Sequence, residues 1–186
     1  VLVTGHHRDD QVETVLYRLL RGSGVHGLGG IQPERSFGSG ILARPLLACS
    51  RADITAYAAE QALSWVTDPS NEDRRYDRNF LRHEIIGPLA ARWPASDRSI
   101  DRAARHLRQA HALLEEIARE DYDECWEPAA NCCLGHHGCM EVARLERLST
   151  GRRFNLLRYW MSRNGYQPPG AKRLDELWRQ ANLARV

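Results

Sequence analysis

Val1-Leu2-Val3-Thr4-Gly5-His6-His7-Arg8-Asp9-Asp10-Gln11-Val12-Glu13-Thr14-Val15 is the stretch on which the reading of the fold turns. Its first residues are apolar and β-branched, as in a buried strand. They run into a polar cluster, after which Val12, Val15, Leu16, Leu19 and Leu20 fall at helical spacing. Asp9, Asp10 and Glu13 stand in the first turn, where carboxylates suit the positive end of a helix dipole. A strand that hands over to a helix through a polar corner is the repeating unit of an α/β sheet. The carboxyl end of such a strand is where these sheets bind ligands.

Working outward, Gly22-Ser23-Gly24-Val25-His26-Gly27-Leu28-Gly29-Gly30 is expected to be a loop. Ile41-Leu42-Ala43-Arg44-Pro45-Leu46-Leu47 is expected to be extended, with Pro45 holding Arg44 in that conformation. Ser50, with Asp53 three residues on, opens a helix expected to reach about Leu63. Trp65-Val66-Thr67 is a short strand candidate and Asp68-Pro69-Ser70-Asn71 is turn chemistry.

Beyond residue 76 the pattern becomes helical. A stretch from Asn79 to Trp93 is expected to break at Gly87-Pro88. A long amphipathic helix is expected from about Asp97 to Trp126, with its stripe at Ile100, Ala103, Ala104, Leu107, Ala110, Leu113, Leu114, Ile117 and Ala118. Two more helices are expected near 152–163 and 171–184. The fold class expected is therefore α/β, a partial parallel sheet followed by an all-α region. The expected domains are residues 1–90 and 91–186.

The chain has 186 residues, with 26 basic and 24 acidic side chains. Its 42% apolar and 27% charged content is that of an ordinary globular protein and excludes collagen-like and intrinsically disordered classes. No apolar run approaches the roughly 20 residues needed to span a bilayer, so no membrane partner is expected. The net charge of +2 hides a segregation. Residues 112–146 carry 2 basic and 9 acidic groups, whereas residues 147–186 carry 9 basic and 2 acidic. Two surfaces that neutralise each other and a basic tail that meets a polyanion are both consistent with this. All but one of the basic residues are Arg, the side chain suited to bidentate phosphate contacts, although Arg-rich genome composition gives the same count.

Three constellations could carry chemistry. His6, His7, Asp9, Asp10 and Glu13 cluster where the strand meets the helix. Carboxylates there can hold Mg²⁺ beside a polyphosphate, and the alternative is a plain helix cap. Gly22-x-Gly24-x-x-Gly27 matches the dinucleotide fingerprint in letters only, because it follows a helix rather than a strand. What remains is a glycine-rich loop with Arg21 at its lip, either an anion cradle or a connector. Asp68-Pro69-Ser70-Asn71-x-Asp73-x-x-Tyr76-x-Arg78-Asn79-x-x-Arg82-His83 is dense in hydrogen-bonding groups where sheet gives way to helices. The cysteines at 49, 125, 132, 133 and 139, with His136 and His137, fit no paired zinc spacing and read as thiols of a cytoplasmic protein.

Four motifs together resemble the tRNA(Ile)-lysidine synthase family of the N-type ATP pyrophosphatases. They are Thr4-Gly5-His6-His7-x-Asp9-Asp10-Gln11-x-Glu13-Thr14, Arg21-Gly22-Ser23-Gly24-x-x-Gly27-Leu28, Arg44-Pro45-Leu46-Leu47, and Asp68-Pro69-Ser70-Asn71 with Arg78-Asn79-Phe80-Leu81-Arg82-His83. The first alone also fits tRNA 2-thiolases. Arg152-Arg153 with Leu156-Leu157-Arg158-Tyr159-Trp160 is similar to the family's helical tRNA-contacting domain. The family's phosphate-binding Ser-Gly-Gly-x-Asp-Ser loop is absent from the sequence and is expected upstream of Val1, so the 186 residues are expected to be inactive alone.

The resemblance implies ligation of L-lysine to C2 of the wobble cytidine in the CAU anticodon of tRNA(Ile). ATP adenylates the C2 oxygen, and the lysine ε-amine then displaces AMP. It implies catalytic roles for Asp10, Arg44 and Asp68, with Asp10 holding Mg²⁺ and Asp68 holding the lysine ammonium. ATP or phosphate would contact His7, Asp9, Arg21, Gly22 and Gly24. The tRNA would contact Arg78, Arg82, Arg152, Arg153 and Arg158. A homodimer is left open, and a non-catalytic RNA-binding module is the remaining alternative.

Overall fold

A computed structural model describes residues 1–66, 68, 73–127 and 139–183. It divides the chain into two compact units, residues 1–111 and 112–186.

The first unit is built on a three-stranded sheet, order β1-β3-β2, from β1 (Leu2–Val3), β2 (Glu34–Phe37) and β3 (Gly40–Ala43). β1 and β3 run parallel, with Leu2 opposite Leu42 and Val3 opposite Ala43. β2 joins as an antiparallel hairpin through a turn whose Gly38 has φ of 57°, a conformation that favours glycine. The sequence reading had no β2, because Glu34-Arg35-Ser36-Phe37 is exposed throughout and carries no alternation. The expected buried strand at the start is a correction too. Leu2 and Val3 are 47% and 60% exposed, since β1 is an edge with β3 on one side only.

Between β1 and β2 the chain forms α1 (Arg8–Leu20) and α2 (Val25–Leu28). The short α2 corrects the expectation of an irregular glycine loop. α1 is not the simple amphipathic helix expected. Gln11, Val12, Glu13, Thr14 and Val15 are all buried, while Leu19 and Leu20 are exposed. After β3, Arg44 leads into a 3-10 turn, Pro45–Ala48, in place of the extended run expected over Leu46-Leu47. α3 (Arg51–Glu60) opens with the expected capping box. The Asp53 amide donates to Ser50 Oγ at 3.1 Å and the Ser50 amide to Asp53 Oδ2 at 2.8 Å. Trp65 and Val66 form no strand, and Thr67 and residues 69–72, with the expected Pro69-Ser70-Asn71 turn, lie outside the described residues.

From Asp77 the helical path is continuous: α4 (Asp77–Phe80), a π-helical segment Leu81–Ile86, and α5 (Gly87–Arg92). The break expected at Gly87-Pro88 does not occur. Proline sits in the first turn of α5, where its missing N–H costs least. The wider π turn before it shifts the bonding register by one residue.

α6 (Ser96–Cys125) matches the long helix expected. Its buried line is narrower than the stripe read from sequence, because Ala103, Ala110 and Leu113 are exposed. The second unit contains a two-stranded ribbon, β4 (Trp126–Glu127) with β5 (Cys139–Met140), then α7 (Val142–Arg147), α8 (Thr150–Arg163) and α9 (Ala171–Leu183). Cys125, Leu145 and Leu156 form its core, flanked by Tyr122, Met140, Leu148, Tyr159 and Trp178. Cys132, Cys133, His136 and His137 lie outside the described residues, and among those described no cluster of His, Cys, Asp or Glu could hold a metal through three or more groups. No described helix is long and apolar enough to cross a membrane.

Candidate functional site

Pairing Val3 with Ala43 in parallel brings two polar corners side by side at the carboxyl ends of β1 and β3. One is Gly5-His6-His7 leading to Asp9 and Asp10, and the other is Arg44.

His7 is the N-cap of α1. Its amide donates to Asp10 Oδ2 at 2.9 Å, and its ring lies against both aspartates, Nδ1 at 3.6 Å from Asp9 Oδ2 and Nε2 at 3.5 Å from Asp10 Oδ2. The ring is largely covered, yet Nδ1 is buried without a hydrogen-bond partner. Asp9 accepts from the Arg51 amide at 2.8 Å, so it also closes the first turn of α3. His6 is held by Thr4 at 2.9 Å. Each aspartate commits Oδ2 to a backbone amide, and among the described residues no hydrogen bond engages Oδ1 of either. Mg²⁺ takes one or two carboxylates and completes its shell with water and phosphate. Asp9 and Asp10 fit that donor set, though not an all-protein cage.

Arg44 donates through its side chain to Gln32 O at 2.7 Å, and its Nε is buried without an acceptor. Burial, reinforced by the nearby Arg35 charge, pushes its guanidinium below the usual arginine range.

The glycine loop is shaped mainly by its carbonyls. Arg18 Nη1 donates to Gly27 O at 2.8 Å and Gly30 O at 2.9 Å, and Arg108 donates to Gly29 O. Most of the loop's amides close local turns, as Leu28 does on Gly24 O and Gly30 on Gly27 O. Gly22, at φ of 73°, and Gly24 face open space, and Arg21 is exposed with Nη1 on Tyr17 Oη at 2.6 Å. His7 caps the N-terminus of α1, whereas Arg21 caps its C-terminus and leads into Gly22 and Gly24, so the two groups stand at opposite ends of that helix.

Sequence reasoning missed the residues that hold this corner in place. Arg8 donates to Asp97 Oδ2 at 3.2 Å and to Ala48 O, tying α1 to the start of α6 and to the turn before α3. Gln11, fully buried, accepts from the Ile31 amide at 2.6 Å. Glu13, 2% exposed, receives Arg82 Nε at 2.6 Å. That ion pair raises the Arg82 guanidinium above its usual range, first through the hydrogen bond to Glu13. Buried polar groups inside the quoted motif were the one available signal for these roles.

The remaining candidates are scattered. Asp68 and Arg78 are exposed. Asn79, 9% exposed, donates to Asp73 O at 2.9 Å and so pins the segment before α4. In the second unit Arg152 grips the fully buried Asp121 with two bonds, 3.0 and 2.6 Å. Arg153 lies over the Trp178 ring at 4.0 Å and donates to Leu145 O and Leu148 O, each at 2.9 Å. Arg158 is half-buried on α8. Both Arg152 and Arg153 are thus engaged within their own unit.

Comparison with known proteins assigns the two ends of the chain separately. A PP-loop domain model matches residues 1–89, and a TilS substrate binding domain model matches residues 140–186. The tRNA(Ile)-lysidine synthase of Pseudomonas fluorescens is 47% identical over 161 residues, 87% of this chain and 36% of that protein. That of Methylococcus capsulatus is 44% identical over 177 residues, 95% of this chain and 39% of that protein. That of Wigglesworthia glossinidia brevipalpis is 36% identical over 185 residues, 100% of this chain and 44% of that protein. The chain therefore spans less than half the length of these relatives.

Proposed function

Because the chain belongs to the tRNA(Ile)-lysidine synthase family, we propose that it forms part of an enzyme that joins L-lysine to the wobble cytidine of tRNA(Ile) at the expense of ATP. One observation carries this reading. The His7-Asp9-Asp10 corner and Arg44 stand at the carboxyl ends of neighbouring parallel strands, in register through Val3 and Ala43. An adenylating enzyme needs both carboxylates and a cation there.

In the adenylation step, charge develops on phosphate oxygens, and most of the catalysis is positioning and electrostatics. Asp10, with Asp9 beside it, would hold Mg²⁺, which would neutralise part of that charge. His7, with its unpartnered Nδ1, is placed to contact phosphate or sugar. Arg44 offers its free Nε to an anion, a phosphate or the carboxylate of lysine. In the transfer step the lysine amine must lose a proton from a group that ordinarily titrates near 10.4. Asp68 is assigned to hold the incoming ammonium. Residues 1–90 are the catalytic α/β part in this reading. Residues 91–186 are the helical part that meets the tRNA, with Arg152, Arg153 and Arg158 in the initial contact set, and Arg78 and Arg82 join that set from the first part.

The test uses the whole gene product that contains this chain. Purified protein is incubated with ATP, radiolabelled lysine and a CAU-anticodon tRNA(Ile) transcript. Label in the tRNA together with released pyrophosphate is the expected result. Pyrophosphate release without lysine in the tRNA would move the protein to another adenylating class, such as the 2-thiolases.

A further inference from the structure

Besides the His7 corner, the first unit holds a cavity of about 860 Å³ beside β3, closed along one wall by the first half of α6. Arg8, Arg44, Arg98, Arg102, Arg105 and Arg108 line it. Only Glu34 and Asp101 oppose them, so the lining is strongly cationic. None of His7, Asp9 and Asp10 belongs to it.

Three of these arginines close an ion pair or hold the glycine-loop carbonyls. Arg8 pairs with Asp97, Arg105 with Asp101 at 3.4 Å, and Arg108 holds the glycine-loop carbonyls. Arg44, Arg98 and Arg102 close no ion pair among the described residues, and Arg44 Nε is buried without an acceptor. A buried donor left unmade is costly. Arg98 lies near enough to Asp53 to add to the Ser50 hydrogen bonds that hold that carboxyl low, Arg102 donates to Ser99 Oγ and Arg44 to Gln32 O. Six arginines against Glu34 and Asp101 still leave the lining with an excess of positive charge that an entering anion would offset.

We propose that this cavity is a phosphate-binding site that holds the sugar–phosphate backbone of the RNA substrate, a proposal that rests on the tRNA reading above. The lining contains no aromatic side chain, and its six arginines offer positive charge and paired N–H donors, so the part of a ligand it recognises most strongly is the phosphate. Arg98, Arg102 and Arg105 follow one another at helical spacing along one face of α6. At about 1.5 Å rise per residue they extend over roughly 10 Å, which suits successive phosphates of a chain better than a single anion. Arginine forks bind phosphate oxygens in pairs. Contacts of this kind position an RNA without reading its sequence.

The experiment measures tRNA binding by the whole gene product at several salt concentrations. Arg98→Gln with Arg102→Gln is the informative double variant, because neither side chain closes an ion pair among the described residues, Arg98 acting on Asp53 only at longer range and Arg102 donating to Ser99 Oγ at 3.3 Å. Loss of two phosphate contacts should flatten the plot of log affinity against log salt by about 1.5, and weaken binding at low salt by tenfold or more. The Arg98→Lys, Arg102→Lys variant should recover most of the slope, since the charges remain. An unrelated tRNA of equal length should lose the same increment. An unchanged slope, or a weakening equal at every salt concentration, would overturn the proposal. So would competition by inorganic tripolyphosphate at the cavity combined with an unchanged tRNA slope, which would assign the site to a free polyphosphate. Lysine incorporation by the unaltered protein is scored separately. Its failure would remove the enzymatic reading and leave the slope result standing.

Discussion

Glu13 and Arg82 show how far one side chain can be read from a sequence. Glu13 is quoted in the first motif and its place on α1 is legible from spacing, although the helix starts at Arg8 and sets Glu13 beyond the first turn expected for it. Its partner is not, because Arg82 lies 69 residues further along and the contact exists only once the π-helical segment packs on α1. Removing either charge leaves the other without its match in a site where Glu13 is 2% exposed. We expect Glu13→Gln to cost about 3 kcal/mol by urea unfolding, at the lower end for buried pairs because Arg82 is partly solvated. Arg82→Gln should cost a similar amount. The double variant should fall well short of the sum, which a double-mutant cycle measures. Additive losses would mean that the two side chains act independently. Asp68 is the opposite case, an exposed carboxylate. Asp68→Asn in the whole gene product should depress lysine transfer at least tenfold, an effect far larger than its effect on folding. A loss of thermal stability without a transfer defect would refute the assigned role.

At the scale of elements, the capping box of α3 was fully legible, since Ser50 and Asp53 carry it within four residues. The glycine-rich segment was legible only as a place of close approach. Its glycines differ sharply in what they allow. Gly30 has φ of 71°, and a Cβ there would stand 2.5 Å from Gln11 Oε1, the atom that accepts from Ile31. Gly30→Ala combines left-handed strain with displacement of that bond, and should destabilise by on the order of 2–3 kcal/mol. Gly24 meets nothing within 4 Å and has φ of −81°, so Gly24→Ala should cost only a few tenths of a kcal/mol. Thermal melts of the two variants make the comparison, and equal losses would contradict it. Letters alone could not separate these glycines, because the difference lies in Gln11 reaching across from α1.

At the scale of the molecule, the opposed charges of residues 112–146 and 147–186 meet at a definite place. Asp121 comes from the acidic segment and Arg152 from the basic one, and a half-exposed Arg152 grips the buried Asp121 through two bonds. Part of the basic tail is therefore compensated inside its own unit. Deleting residues 147–186 would also remove Leu156 and Leu174, both fully buried, so tRNA binding is better probed by point substitutions than by truncation. The segment arithmetic was legible, whereas the identity of the neutralising pair was not.

Charge also governs the response of the fold to acid. Asp53 is held below the usual carboxylate range by its hydrogen bonds with Ser50, Asp73 by those with Arg75, and Glu176 by those with Arg179 and Gln180. Each folded carboxyl titrates below its unfolded value, so the unfolded chain binds more protons as pH falls. Their stabilisation is complete above the ordinary values of 3.8 for Asp and 4.5 for Glu, and is lost as pH drops through the lower folded values. The melting temperature should accordingly be flat from neutrality to about pH 5 and then decline. Asp53→Asn keeps an acceptor for the Ser50 amide but cannot titrate. It should start from a lower melting temperature and lose less of it in acid. An equal acid loss in the variant would show that Asp53 contributes nothing to the proton linkage, and that the decline comes from other carboxylates.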